Sequence, residues 1–247
     1  MEIITVVRDF EIFNKLIRNN INCIDAKLNT FDNRKENNPI PFCYNKFLEQ
    51  YDYSKESWFI FCHEDFEFQE DLKSLQNKLD KNSLHGVIGG KRAGFMGFGM
   101  QIVYGNMTEI KRNGDGIPWN PGKIISKPVK VEAFDCCCLI VHSSLIKKYD
   151  LRFDENLLFD FYIEDFCAAA KTKHKIKSYV HPITSRHHSG SKATNRLYRH
   201  LPYLKEKYPR NCFVGTITYF GTPSLGKKIQ DIILSFFHHS PNKRPLS

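Results

Sequence analysis

The strongest constraint on the fold is a run of five apolar residues, Trp-Phe-Ile-Phe-Cys at positions 58–62, cut off at once by His63, Glu64 and Asp65. Successive side chains of a strand point to opposite faces. A strand with no polar side must therefore be covered on both, which is the situation of a central strand between two layers of helix. The flanking pattern agrees. Residues 2–7 form a short β-rich run, 11–18 carry Ile12, Phe13, Leu16 and Ile17 at helical spacing, 22–28 read as a second strand, and 42–51 read as a helix. Strand, helix, strand, helix, strand within some sixty residues predicts βαβ units and a mostly parallel sheet flanked by helices.

Beyond that point the expected elements are a helix at 70–79, a strand at 86–88, a strand at 131–142, a helix at 161–171 and a strand at 176–181. Residues 29–39 read as a loop. The Gly-, Asn- and Pro-rich stretch 89–128 reads as loops and short hairpins. A chain of 247 residues accommodates one α/β domain with a full core, placed at 1–215, and a C-terminal amphipathic tail at 216–247. In the tail Leu225, Ile229, Ile232, Ile233, Phe236 and Phe237 follow helical spacing, with Lys227, Lys228, Lys243 and Arg244 around them.

The net charge of +9 suits phosphorylated ligands or an anionic membrane surface. No nucleic-acid recognition module is legible, so no nucleic-acid partner is expected. No stretch reaches the roughly 18 apolar residues of a membrane span, and the N-terminus reads as a first strand rather than a signal peptide. The expected location is cytoplasmic, with the tail lying peripherally on the inner face of the membrane. Eight cysteines without paired CxxC spacing fit a reducing compartment. Cys136, Cys137 and Cys138 alternate faces on a strand and cannot all ligate one metal.

Three clusters carry chemistry. His63-Glu64-Asp65 follows the apolar strand, and open α/β sheets bind ligands at the carboxyl ends of their strands. Asp65 suits Mg²⁺ or Mn²⁺, which take oxygen ligands and bridge phosphates. Glu164 and Asp165 fall in the first turns of the helix expected at 161–171, about 100° apart, so only one can face a given point. Arg186-His187-His188-Ser189-Gly190-Ser191 follows the last strand and offers imidazoles to a metal or phosphate. Trp119, in GDGIPWNPG, is an aromatic in a Gly/Pro loop, on which a ring-shaped ligand could stack.

In order and surroundings these clusters resemble the GT-A glycosyltransferases, in particular a bacterial branch related to family 2. The matching segments are FIFCHEDFEF, with a His-x-Asp variant of the DxD motif, VEAFDCCCLIVHSSLI with its internal Asp135, FDENLLFDFYIEDFCAAA, and the RHHSGS loop. PIPFCYNKFLEQ resembles the helix that carries a Tyr-Asn pair. The resemblance spans residues 1–192. It departs at His63, where DxD has its first Asp, and at the double acid Glu164-Asp165.

The resemblance implies a GT-A-type domain of hexosyltransferase type that moves a sugar from a nucleotide donor, a UDP-sugar foremost, to a hydroxyl of a glycan or lipid-linked acceptor. Inversion at the anomeric carbon, a Mn²⁺ or Mg²⁺ cofactor, and a place in bacterial surface polysaccharide synthesis are implied with it. It assigns Asp65 and His187, with His188 as substitute, to the metal. It assigns Asp165, with Glu164 beside it, to the general base. Val7, Arg8, Asp9, Asn45, His63, Glu64, Asp65 and Asp135 fall to donor binding. The same residues would also serve a metal-dependent phosphohydrolase or nucleotidyltransferase, or a catalytically silent sugar- or nucleotide-binding module.

Overall fold

A computed structural model describes residues 1–94, 100–112, 116–189 and 195–223. The chain opens with β1 (Glu2–Val7), a helical turn α1 (Phe10–Phe13) that runs on as a wider turn to Arg18, β2 (Lys27–Asp32), α2 (Ile40–Gln50) and β3 (Trp58–Cys62). Then come β4 (Phe66–Phe68), α3 (Leu72–Gln76), β5 (Ser83–Gly86), β6 (Ile88–Ala93), β7 (Met100–Gly105), β8 (Met107–Glu109), β9 (Val129–Val131), β10 (Ala133–Phe134) and β11 (Cys138–His142). The last part holds α4 (Ser143–Tyr149), α5 (Tyr162–His174), β12 (Lys177–Val180), β13 (Ser185–His187), α6 (Asn195–Tyr198), α7 (Leu201–Lys207), and the hairpin β14 (Cys212–Val214) with β15 (Tyr219–Gly221).

The central sheet has seven strands in the order β2-β1-β3-β11-β5-β12-β9. β1 lies parallel to β2 and β3, β11 runs against β3 and β5, β12 is parallel to β5, and β9 runs against β12. The sheet is therefore mixed but mostly of one direction, with β11 and β9 reversed. β3 is central, as its sequence demands. Phe59 and Phe61 enter one core with Tyr44, Phe47 and Phe153, while Trp58, Ile60 and Cys62 enter a second core on the other face. Each fully buried aromatic here contributes on the order of 2–3 kcal/mol by transfer from water.

Several boundaries differ from expectation for physical reasons. The second strand begins at Lys27 and runs through Asp32, because residues 21–23 form a tight 3₁₀ turn and β2 pairs in register with the whole of β1. The apolar stretch 131–142 is three strands, not one. β9 ends on the central sheet, β10 crosses to pair with β6, and β11 returns to lie between β3 and β5. The side chain of Asp135 accepts the Cys137 amide and closes the turn between β10 and β11. The loop-rich stretch contains a real ladder, β6 against β7, and the short strand β8.

The division at 215/216 falls inside the β14–β15 hairpin, whose Phe220 is buried in the main core. The hairpin approaches β6 so closely that a Cβ on Gly90 would lie 2.0 Å from the Gly215 carbonyl oxygen. The expected amphipathic helix of residues 225–247 lies outside the described residues. Among those described, no helix is long and apolar enough to cross a membrane.

Candidate active site

A small three-stranded sheet, β4-β13-β8, assembles the site at the end of β3. Its register sets His187 opposite Phe66 on one side and beside Glu109 on the other. The His188 amide donates to the Asp65 carbonyl, which fixes the crossing of the two segments. Residues 122 apart in sequence thereby meet: His187 Nε2 lies 3.4 Å from Asp65 Oδ1. One ligand atom each from His63, Asp65 and His187 falls within 4.8 Å of the others.

The hydrogen bonds fix which atoms are free. The Tyr162 hydroxyl donates to the Cys136 carbonyl at 2.7 Å, and His63 Nε2 sits 2.8 Å from the same hydroxyl. A hydroxyl has one proton, and the carbonyl can only accept it. His63 must therefore donate through Nε2–H, leaving the Nδ1 lone pair as its ligand atom. Burial lowers the His63 pKa and favours this neutral ring. His187 meets Glu109 Oε1 through Nδ1 at 2.9 Å and Asp65 Oδ1 through Nε2 at 3.4 Å, so Nε2 is the atom that would give up its proton to take a cation. Imidazoles oriented by outer partners in this way are the usual preparation for metal ligation. Two imidazoles and a carboxylate fit a transition ion such as Mn²⁺ better than Mg²⁺.

Electrostatics in the ligand-free site are tightly matched. Burial acts to raise the Asp65 pKa, but the hydrogen bond and charge of His187, with the Arg112 bond, hold the carboxyl well below the usual range. Burial acts to lower that of His187, yet its bonds to Asp65 and Glu109 push it up to about 10. Arg112 donates from Nη2 to Asp65 Oδ2 at 2.9 Å and lies 3.8 Å from Glu64 Oε1. Glu64 Oε2 accepts the Arg8 and Asp9 amides, so it braces the turn after β1.

Beside this cluster is a cleft of about 330 Å³ whose lining includes Arg8, Asn33, Asn38, His63, Asp65 and Arg112. Its volume is in the range of small-ligand pockets. Val6 lines the cleft. Val7, expected there, points into the core on the other face, because neighbours on a strand oppose one another. Asp9 caps α1 by accepting the Glu11 and Ile12 amides. Asn45 is buried and its amide is engaged with Phe153 and Glu155 at 2.8–2.9 Å, where it clamps α2 to the chain before α5 rather than facing the cleft. His188 turns to Glu67 at 2.8 Å and is not grouped with the metal-ligand atoms.

The two acids of α5 part company. α5 starts abruptly: Phe161 adopts φ 66°, a conformation rare for a bulky residue, with its buried ring against Phe220. Glu164 then faces Cys136, whose thiol donates to Oε2 at 2.9 Å, and the hairpin at Gly215. Burial, then the Asp135 charge, raise the Glu164 pKa to about 8. Asp135 also accepts the Thr216 hydroxyl at 2.7 Å. Asp165 turns the other way, 1 % exposed, to accept from Lys207 at 2.9 Å and Tyr208 at 2.7 Å. Trp119 is 59 % exposed on a segment whose backbone pairs with Glu109 in both directions.

Arg112, Glu109 and Tyr162 were not singled out by sequence. The first two sit in or just after a three-residue strand inside a loop-like stretch, where no periodicity can develop. Tyr162 lies in a quoted motif, but its link to His63 depends on the third dimension.

No family model matches the chain, and no curated protein sequence does. Among solved structures it is similar to the crystal structure of S. aureus TarS 1-349, with a TM-score of 0.42 and 12% identity over 73% of this chain. The chain spans 59% of the length of that structure. A likeness this remote carries neither a fold nor an activity across, and the reading below stands on the residues.

Proposed function

We propose that this chain is a GT-A-like glycosyltransferase that transfers a sugar from a nucleotide donor, with the donor diphosphate held in the cleft beside His63, Asp65 and His187. One observation carries the reading: His63 and Asp65, on the wall of a cleft of small-ligand size, converge with the oriented imidazole of His187 at the carboxyl end of the central strand. The motif resemblance at these same residues supports it.

His63 Nδ1, Asp65 and His187 Nε2 would hold a divalent cation, Mn²⁺ foremost. When bound, that cation supplies charge neutralisation to the diphosphate as it leaves, an effect worth several kcal/mol. Arg8 and Asn38 stand where nucleoside polar groups can be met, Asn33 holding the Asn38 backbone in place, with Val6 and Ile40 as the apolar side. Glu164 is a better-placed base than Asp165, since it faces Asp135 and Cys136 whereas Asp165 is closed inside an ion pair. With a raised pKa, Glu164 takes a proton readily once ionised, and one base with one displacement gives inversion. Exposed Trp119 is the acceptor platform. A hexose from UDP, a glycan or lipid-linked acceptor, work in surface polysaccharide synthesis, and membrane attachment through residues 225–247 complete the proposal.

The test is a thermal-shift screen of UDP-, GDP-, CDP- and dTDP-sugars with and without Mn²⁺, followed by donor turnover. Stabilisation by one donor class that requires Mn²⁺, with release of free sugar or transfer to an added acceptor, is expected. Release of phosphate or attachment of a nucleotide would favour the phosphohydrolase or nucleotidyltransferase. Metal-independent donor binding without turnover would favour a silent binding module.

A further inference from the structure

Arg112 occupies an unusual position for a cleft-lining cation. Its guanidinium is bonded at 2.9 Å to one oxygen of Asp65, the same carboxylate whose other oxygen faces His187. The Arg112 backbone is pinned, its amide donating to Ser189 at 3.1 Å. Its side chain is 38 % exposed and lines the cleft. The head can therefore turn while the base stays fixed. Asp65 is already met by the Arg112 guanidinium, which is charged at any working pH. Adding a divalent cation alone to this matched cluster brings like charges together around one carboxylate, which weakens its binding.

A diphosphate reverses the situation. It brings the negative charge that both cations lack, and a guanidinium takes phosphate oxygens through its planar fork. Arg112 lies on the cleft wall where such a group would enter. Glu64 is the weaker partner: one oxygen braces the Arg8 and Asp9 amides and the other lies 3.8 Å from the guanidinium, against 2.9 Å for Asp65.

We propose that Arg112 is a positioning residue that makes cation binding conditional on the diphosphate: it guards Asp65 when the cleft is empty and turns to the phosphates when donor and cation enter together. This rests on the donor reading above. The two ligands then bind with positive coupling, and the coupling is reciprocal.

Calorimetry on the full chain tests it. Mn²⁺ is titrated alone and in the presence of UDP, GDP, CDP or dTDP, and each nucleotide is titrated with and without Mn²⁺. In the wild type, the preferred nucleotide should tighten Mn²⁺ binding by at least about tenfold, within the usual span of such couplings. In Arg112→Gln, Mn²⁺ alone should bind several-fold tighter, the nucleotide weaker, and the coupling should fall to a few-fold or less. Arg112→Lys, which keeps the charge and loses the fork, should retain part of the coupling. Thermal unfolding of both variants checks the fold. A merely structural Arg112 would shift both affinities the same way or neither. Unchanged coupling in Arg112→Gln, or weaker binding of Mn²⁺ alone, overturns the inference and leaves the donor reading standing. A wild type that binds none of the four nucleotides at any Mn²⁺ concentration overturns both.

Discussion

Asp65 and Asp165 are both buried carboxylates bonded to a cation, and they stand for opposite uses of the same chemistry. Asp65 lies on a cleft wall, its partners His187 and Arg112 are themselves oriented by other groups, and His63 Nδ1 remains available beside it. Asp165 is sealed. Lys207 bridges it to Asp154, Tyr208 completes it, and Tyr203 bonds Asp154, so α5 and α7 are locked together. A buried pair of this second kind contributes little net stability over apolar packing, but breaking it leaves a charge without its partner. The difference teaches that burial and ion pairing do not mark a reactive acid. What sets Asp65 apart is an imidazole nitrogen beside it and a cavity in front of it.

The sharpest way to break the contrast is to exchange the roles by mutation. Asp65→Asn should lower kcat/KM by about 10³-fold or more, since several kcal/mol of charge stabilisation at about 1.4 kcal/mol per decade is lost. Its melting temperature should fall as well, because the depressed Asp65 pKa means that the ionised carboxylate stabilises the fold at neutral pH. Asp165→Asn should act on stability alone, costing about 3 kcal/mol, or roughly 6–12 °C in Tm for a chain of this size. The folded fraction should keep its activity. An inactive but fully stable Asp165→Asn would break the comparison.

Glu164 sharpens it. Glu164→Gln should lower kcat about 10²- to 10⁴-fold, the usual contribution of a general base. For the wild type, a base must be ionised, so kcat/KM should rise with pH and level off above about 8. The stability sign follows separately. Because the folded-state pKa is raised from 4.5 to about 8, the neutral form is the one the fold favours; stability is fullest below about 4.5, declines as pH climbs to about 8 and levels off above it. Glu164→Gln should therefore gain on the wild type steadily from about pH 4 to about pH 8 and hold that gain at pH 9, as read by thermal unfolding.

Smaller effects probe the outer partners. Tyr162→Phe frees the His63 ring and should weaken Mn²⁺ binding 10- to 100-fold. Asn45→Ala removes a clamp distant from the cleft and should cost about 1–3 kcal/mol in stability with kcat/KM unchanged. A loss of donor affinity in that variant would restore Asn45 to the binding site.

Much of this arrangement was legible in the chain, and the remainder fails for identifiable reasons. The two-faced hydrophobicity of residues 58–62 dictates a central strand, and the charged triplet after it marks the edge of the apolar layer where a ligand can enter. The divergence of Glu164 and Asp165 follows from helix geometry, but which of them faces Asp135 depends on the phase set by Phe161, a backbone conformation no composition announces. The three strands within 131–142 look like one because each is apolar and the switch between sheets needs only a residue or two. β8 is short and polar, so its cargo, Glu109 and the following Arg112, stays hidden until β13 aligns with it. The small sheet is stabilised by tertiary pairing and not by propensity.

The central claim is that His63, Asp65 and His187 form one cation site shared with a nucleoside diphosphate. Crystals grown with Mn²⁺ and the nucleotide that gives the largest thermal shift, measured at the manganese absorption edge, test it directly. The expected result is an anomalous peak within coordination distance of the Asp65 carboxylate and His187 Nε2, with diphosphate density beside it in the cleft. A peak elsewhere, or diphosphate bound in the cleft with no manganese at these side chains, would contradict it.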